Sequence, residues 1–251
     1  MNRFIDDLRP HLRTIAAAVV GTVLVWIVGA AILPHGIPPG QVLRGIVFGL
    51  LYALTAVGLV LTFRANRVIN FAQAEIGSVA AVIAIQLVLH GVPYFVGVPI
   101  GLVVAAFVGA GVERTIIRRF RKAPRLILAV ATIGVAQILL GLSILIPLIW
   151  DRGAEAHPFV TPFKMKFFLR PELFFGDHVL VLIVAPVVMI ALGAFLRFSE
   201  YGIGIRAAAE NADRARLLGI PVLRLSTMVW AISGVLSALT AILHVPLVGF
   251  A

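Results

Sequence analysis

Long apolar runs, separated by short polar segments, follow one another along this sequence from end to end. A helix rises 1.5 Å per residue, so about 20 apolar residues cross the roughly 30 Å hydrocarbon core of a bilayer. The runs are continuous and show no strict alternation, which favours helices over the strands of a barrel. The runs are Thr14–Leu33, Gly45–Phe63, Phe71–Leu89, Tyr94–Val112, Leu126–Trp150, Val179–Leu196 and Thr227–Val248. The pattern predicts an all-α, polytopic transmembrane helix bundle of about seven spans.

Composition agrees with a membrane protein, since 61% of the residues are hydrophobic and only 13% are charged. We find no linker rich in Pro, Gly or Ser, so we expect residues 1–251 to form a single transmembrane domain in contact with membrane lipid. The first run has 20 residues. It is longer than the roughly 7 to 15 apolar residues of a signal-peptide core, which favours a retained anchor.

The distribution of positive charge predicts the orientation of the bundle. Of the 21 Lys and Arg residues, 16 lie in the N-terminal segment and in every second connection after it. By the positive-inside rule, the N-terminus and these connections are cytoplasmic, and the protein belongs in the cell membrane. This pattern also explains the formal charge of +10, so we do not expect nucleic acid as a partner. The cationic stretch Glu113–Lys122 is interpreted as a topology signal that attracts anionic lipid, with protein docking as the alternative.

Polar side chains are placed unusually at the start of the third run, where Asn70, Gln73 and Glu75 precede or enter an apolar helix. In one interpretation Asn70 caps the helix and Glu75 lies at the positive end of its dipole. In the other, the three residues face a substrate pathway or gate it by clamping Arg64 or Arg67. A carboxylate exposed to lipid deep in the bilayer would cost about 2.5 to 3.5 kcal/mol.

The connection Arg197–Arg224, expected on the cytoplasmic side, contains signals for two short helices. Good helix formers run from Ile205 to Glu210, and Asn211 is suited to cap a second helix over Ala212–Leu218. Gly219 then ends that helix, and Pro221 prevents its continuation. A rigid pair of helices can transmit force, which a flexible loop cannot.

Two other features predict packing. The outer connection Asp151–Asp177 combines several Phe residues with Lys and Arg, which is typical of a segment lying on the membrane surface; the alternative is a docking surface for an external partner. Small residues recur every fourth position in two series, which favours close helix packing within the subunit. The series are Gly45, Gly49 and Ala53, and Gly97, Gly101, Ala105 and Gly109.

Several kinds of chemistry find no support in the residues. The chain has no Cys, its His residues lack metal-ligand spacing, and we expect neither a metal site nor a cofactor. None of its three Lys residues stands in a P-loop, so hydrolysis of ATP by that route requires a partner. Gly202–Ala207 fits a dinucleotide-binding pattern but follows a membrane helix instead of a strand. We find no catalytic constellation and predict that the protein is not an enzyme.

Two separated motifs resemble those of a known family. The first is Phe48–Leu54 through Leu59–Ala65, followed by Val68–Glu75. The second is Tyr201–Asn211 with Ala215–Ile220. In this order they resemble the signatures of branched-chain amino acid ABC transporter permeases, the inner-membrane components of binding-protein-dependent importers. The resemblance covers roughly Gln41 to Ala251, and it departs from the family at Ala74, where members usually have Gly.

The resemblance implies several partners: ABC ATPase subunits, a second permease subunit and an external solute-binding protein. It also implies that the second motif is a coupling helix for the ATPase, and that the chain lacks the C-terminal spans with which family members continue. The coupling residues implied are Tyr201, Gly202, Arg206, Ala207, Glu210, Asn211, Leu218 and Gly219.

We therefore expect a permease subunit that forms the pathway for branched-chain or related amino acids and is driven by partner ATPases. The alternative is an ion-coupled secondary transporter of small amino acids or amides, for which Glu75 is the only candidate coupling carboxylate. The identity of the solute, the choice between homodimer and heterodimer, and whether Glu75 faces the pathway stay open at this stage.

Overall fold

The computed structural model describes residues 16–17, 20–29, 37–121, 123–150 and 161–248. Helices dominate these residues, which confirms a helical membrane bundle. The helices are α1 (Val20–Gly29), α2 (Pro39–Asn66), α3 (Gln73–Leu89), α4 (Tyr94–Val112), α5 (Arg125–Ile149), α6 (Gly176–Phe198), α7 (Glu200–Glu210), α8 (Ala212–Leu217) and α9 (Val222–Val248). A π-helical turn, Glu113–Ile117, continues α4, and two short strands, β1 (Lys166–Leu169) and β2 (Glu172–Phe175), lie between α5 and α6.

The described helices coincide with the apolar runs. Helices α2, α5, α6 and α9, and α4 with its π-helical continuation, are long and apolar enough to cross a membrane. Helices α1 and α3 are shorter apolar helices at the positions of the first and third runs. Part of the first run and the N-terminal segment lie outside the described residues, so seven spans and a cytoplasmic N-terminus stay predictions.

The chain divides into two compact units, and the smaller one comprises residues 1–46 and Lys166–Phe174. In this unit the strand pair packs on the start of α2. The Arg44 guanidinium donates to both carboxylate oxygens of Glu172, at 3.1 and 3.0 Å, and Phe167 stacks on Phe174. A Cβ added to Gly40 would lie 2.3 Å from the carbonyl oxygen of Leu169, so this contact requires glycine. The sequence predicted a membrane-surface segment here and did not predict the strands; residues 151–160 of that segment lie outside the description.

The larger unit, residues Val47–Met165 and Phe175–Ala251, is built around α9. Helix α9 packs along α3 and α4, and these two also pack against each other, while α5 lies on α3. Glycines bring the backbones together at three points, one between α3 and α9 and two between α4 and α9. A Cβ at Gly77 would lie 2.4 Å from the Ser237 carbonyl carbon, one at Gly109 2.3 Å from the Trp230 oxygen, and one at Gly234 2.5 Å from the Ala105 oxygen.

The two series of small residues differ in whether they pack against other helices. The series on α4 is buried against α3 and α9, as expected. The expectation for α2 was wrong, because a Cβ at Gly45 or Gly49 would meet no atom within 4 Å. This face of α2 is directed away from the described helices, since α2 packs through the opposite face, which carries Val47, Leu51 and Leu54.

Candidate functional site

The start of α3 is held by a buried polar network. Asn70 and Gln73 are 1% and 4% exposed. The Asn70 side-chain amide donates to Gln73 Oε1 at 3.2 Å. The Gln73 amide donates to the Ser233 carbonyl oxygen at 3.0 Å and to the Ser237 hydroxyl at 2.8 Å. These bonds tie α3 to the middle of α9, where alternative partners from water would be scarce.

Helix α2 completes this network through its backbone. The Ser233 hydroxyl lies within donating distance of both Gln73 Oε1 and the carbonyl oxygen of Gly58. A Cβ at Gly58 would lie 2.7 Å from Gln73 Nε2, so a larger residue there would displace the Gln73 amide from the network. The network therefore joins α2, α3 and α9 at one point.

Glu75 lies apart from this network. Its side chain is partly buried in the first turn of α3, and it forms no ion pair with Arg64 or Arg67, both of which are among the described residues. Of the two interpretations, the part in which Asn70 caps α3 was wrong. Helix α3 begins at Gln73 without a side-chain cap, and Asn70 Oδ1 instead accepts from the Ala72 N–H at 3.1 Å, forming a turn before the helix. The structure thus brings Asn70 and Gln73 together and leaves Glu75 separate.

The connection between α6 and α9 forms the predicted pair of short helices, α7 and α8. Asn211 Oδ1 accepts from the N–H groups of Asp213 and Arg214, at 3.1 and 3.0 Å, and so caps α8. Gly219 ends it with a φ of +79°. Helix α7 begins five residues earlier than predicted because Ser199 caps it by accepting from the Gly202 N–H. We call residues 199–219 the α7–α8 element.

The candidate coupling residues of this element divide into a packed and an exposed set. Gly202 is buried against the end of α6. A Cβ there would lie 2.4 Å from the Phe195 carbonyl oxygen, so this contact requires glycine. The exposed set is Tyr201, Arg206, Glu210, Asn211, Leu218 and Gly219, while Ala207 is partly buried. Leu217 and Leu218 are 89% and 79% exposed, so the tip of the element carries an apolar surface directed away from the bundle.

Arg67 connects this element to the end of α2. Its guanidinium donates to the Ala209 carbonyl oxygen in the last turn of α7 at 2.8 Å. Its backbone has a φ of +56°, a conformation that costs of order 1 kcal/mol or more for a residue with a side chain. The contact satisfies a carbonyl at the negative end of α7. One hydrogen bond therefore links the last turn of α7 to the residue that follows α2.

A second connection involves Glu113, which is 2% exposed. Its carboxylate accepts from the Thr227 hydroxyl at 2.6 Å and from the Arg118 guanidinium at 3.1 Å. These contacts hold the π-helical turn against the start of α9. Sequence reasoning missed this site, because Thr227 is 114 positions away from Glu113. The one available signal was that Glu113 is the only acid in a stretch of cations.

The end of the bundle that carries these contacts has a partly open cavity of about 250 Å³. We call it the arginine cavity. Its charged lining residues are Arg64, Arg67, Arg118, Arg121, Arg216, Glu113 and Glu210. In the described ranges, no three His, Cys, Asp or Glu side chains lie close enough together to hold a metal ion.

Several known proteins are similar to this chain in sequence. A family model described as "Branched-chain amino acid transport system / permease component" matches residues 41–251. The high-affinity branched-chain amino acid transport system permease protein BraD of Pseudomonas aeruginosa is 29% identical over 215 residues, 81% of this chain and 69% of BraD. The corresponding protein LivH of Escherichia coli K12 is 26% identical over 219 residues, with the same coverage of 81% and 69%.

A relative also occurs in an archaeon. The probable branched-chain amino acid transport permease protein LivH of Methanocaldococcus jannaschii is 30% identical over 207 residues, 78% of this chain and 63% of that protein. No solved structure matches the chain. The matched residues include the start of α3 and the whole α7–α8 element, and the apolar helices place the protein in the cell membrane as a multi-pass protein. The chain belongs to the family of branched-chain amino acid transport system permease components.

Proposed function

We propose that this chain is a membrane-spanning permease subunit of an ABC importer for branched-chain or closely related amino acids. Its family and the names of its relatives support this solute class. The proposal includes a second permease subunit, ATPase subunits and an external solute-binding protein. The observation that carries it is the α7–α8 element, which has capped helices, an apolar tip and a direct bond to α2.

The proposed mechanism is alternating access driven through this element. Closure of the ATPase subunits would displace α7 and α8, and the displacement would pass to α2 through Arg67 and to α6 through the close packing at Gly202. Both capped helices resist deformation, so they transmit a displacement to the attached spans. The spans would then tilt and change the side from which the pathway is open.

The surface that meets the ATPase is proposed to be apolar. Leu217 and Leu218 provide the most exposed apolar side chains of the α7–α8 element. Earlier in the element, Tyr201, Ile203 and Gly204 line an apolar depression together with Ile220, Pro221 and Leu225. Exposed apolar surface beyond the membrane spans is typical of protein interfaces.

The residues at the start of α3 are proposed to serve the pathway in two ways. Asn70 and Gln73 fix the position of α3 against α2 and α9 and act as part of a gate that holds these helices together. Glu75, the more exposed of the three, is proposed to face the pathway at the positive end of α3.

The proposal is tested by co-expressing the full chain with the ATPase and permease subunits of its transport system. Leu218→Asp should lose co-purification of the ATPase and ATP-dependent uptake into proteoliposomes, because a charge replaces an apolar contact. Leu218→Met is the matched control and should retain both, because it keeps the apolar surface and similar volume.

Two results would count against this function. Equal ATPase capture by the Asp and Met variants would remove the α7–α8 element from the interface. Uptake that continues without ATPase subunits and follows an ion gradient would support the ion-coupled alternative instead.

A further inference from the structure

Two residues that line the arginine cavity carry buried donors that have no acceptor. Asn66 Nδ2 and Arg118 Nε are both buried and make no hydrogen bond, and both residues line the cavity. The Asn66 side-chain oxygen, Oδ1, is already occupied, since it accepts from the Ser226 hydroxyl at 2.9 Å. An unsatisfied buried donor costs roughly 1 to 3 kcal/mol, so an acceptor that reached these two donors from the cavity would be stabilised there.

The charges around the cavity favour an acceptor that is an anion. Five arginines line it against two carboxylates, Glu113 and Glu210. Glu113 is already engaged by Arg118 and Thr227. Arg64 and Arg121 form no hydrogen bond or ion pair with other residues of the described ranges. Like charges that share a cavity repel each other, and a bound anion would remove that repulsion.

We propose that the arginine cavity binds a phosphate group. Guanidinium groups present paired N–H donors that match phosphate oxygens, and hydrogen bonds between charged partners are the strong ones. A phosphate has enough oxygens to accept from Asn66, Arg118, Arg64 and Arg121 at once. The volume of about 250 Å³ corresponds to several water molecules at roughly 30 Å³ each, which leaves room for the group and part of its substituent.

The bound phosphate would join the parts that the proposed transport mechanism moves. The lining residues come from the end of α2, the π-helical turn, α7, α8 and the start of α9. An occupied cavity therefore stabilises the α7–α8 element against the spans. The binding site itself does not depend on which solute is transported, so failure of either proposal leaves the other standing.

Two sources could supply this chemistry, and the experiment separates them. The melting temperature of the purified full chain is measured in neutral detergent with inorganic phosphate and, as the control, with chloride at equal ionic strength. The same measurement is made with phosphatidylglycerol. Phosphatidylcholine is the control, because its cationic choline group is repelled by the arginines. Native mass spectrometry counts the bound phosphate or lipid. A response to phosphatidylglycerol alone identifies a lipid headgroup as the source, and a response to inorganic phosphate identifies a soluble compound.

Matched variants localise the response. Arg64→Gln and Arg121→Gln should each raise the apparent dissociation constant at least about tenfold, since each removes a charge-assisted hydrogen bond. Arg119→Gln should leave it nearly unchanged, because Arg119 is exposed in the same segment and does not line the cavity. If Arg121→Gln does not fold, Arg121→Lys keeps the charge and should still weaken binding, because the paired donors are lost.

The proposal is overturned if neither probe raises the melting temperature above its control. It is also overturned if Arg119→Gln loses as much response as Arg121→Gln, because the effect would then reflect overall charge and not the cavity.

Discussion

At the scale of single residues, the backbone approaches around α9 provide a sharp test of the packing. Gly109→Ala should lower the free energy of unfolding by about 1 to 3 kcal/mol, because its Cβ would lie 2.3 Å from the Trp230 oxygen. Thermal unfolding in detergent measures this. Gly111→Ala on the same helix is the control, since a Cβ there meets no atom within 4 Å, and Ala there should be neutral or stabilising. Equal melting of the two variants would contradict the packing described for α4 and α9.

The Glu113 site makes a second prediction at this scale. Thr227→Val should destabilise the protein by about 1 to 3 kcal/mol, because it leaves a buried carboxylate oxygen without the hydroxyl that donates to it at 2.6 Å. Thr227→Ser keeps the donor and should lose much less. Chemical denaturation of the two variants separates loss of the hydrogen bond from loss of the methyl group. A larger loss for Ser than for Val would show that the methyl group, and not the bond to Glu113, holds the turn.

At the scale of elements, the sequence predicted what depends on neighbouring residues. Asn211 and Gly219 fixed the limits of α8 because a cap and a left-handed residue act within one turn of helix. The strands β1 and β2 were missed because apolar residues such as Phe167, Phe168 and Leu169 stand side by side without alternation. The network at Gln73 was also beyond prediction, since its partner Ser237 is 164 positions away and no local pattern marks the pair.

The cap of α8 provides the prediction for this scale. Asn211→Ala should speed amide hydrogen exchange across residues 212–217 and lower ATP-dependent uptake, because it removes the acceptor for two N–H groups. The loss of a cap costs about 1 kcal/mol, which is enough to fray a helix of six residues. Asn211→Ser, which can also cap, should restore both measurements. If Asn211→Ala speeds exchange without reducing uptake, transport does not require a rigid α7–α8 element.

At the scale of the whole molecule, the orientation predicted from charge can be measured directly, because the natural chain contains no Cys and gives no background. Single cysteines at Asp213 in α8 and at Lys164 before β1 lie at exposed positions on opposite predicted sides. Asp213→Cys costs little stability, since the ion pair that it removes with Arg216 is exposed.

In intact cells, a membrane-impermeant maleimide should label Lys164→Cys and leave Asp213→Cys unlabelled until the membrane is permeabilised. The reason is that insertion retains the Arg-rich connections on the cytoplasmic side, and the connection that carries Asp213 has five of the 21 cations. Labelling of Asp213→Cys in intact cells would place the α7–α8 element outside, where it could not meet a cytoplasmic ATPase. The arginine cavity would then also face the exterior, because Arg216 of the same helix lines it.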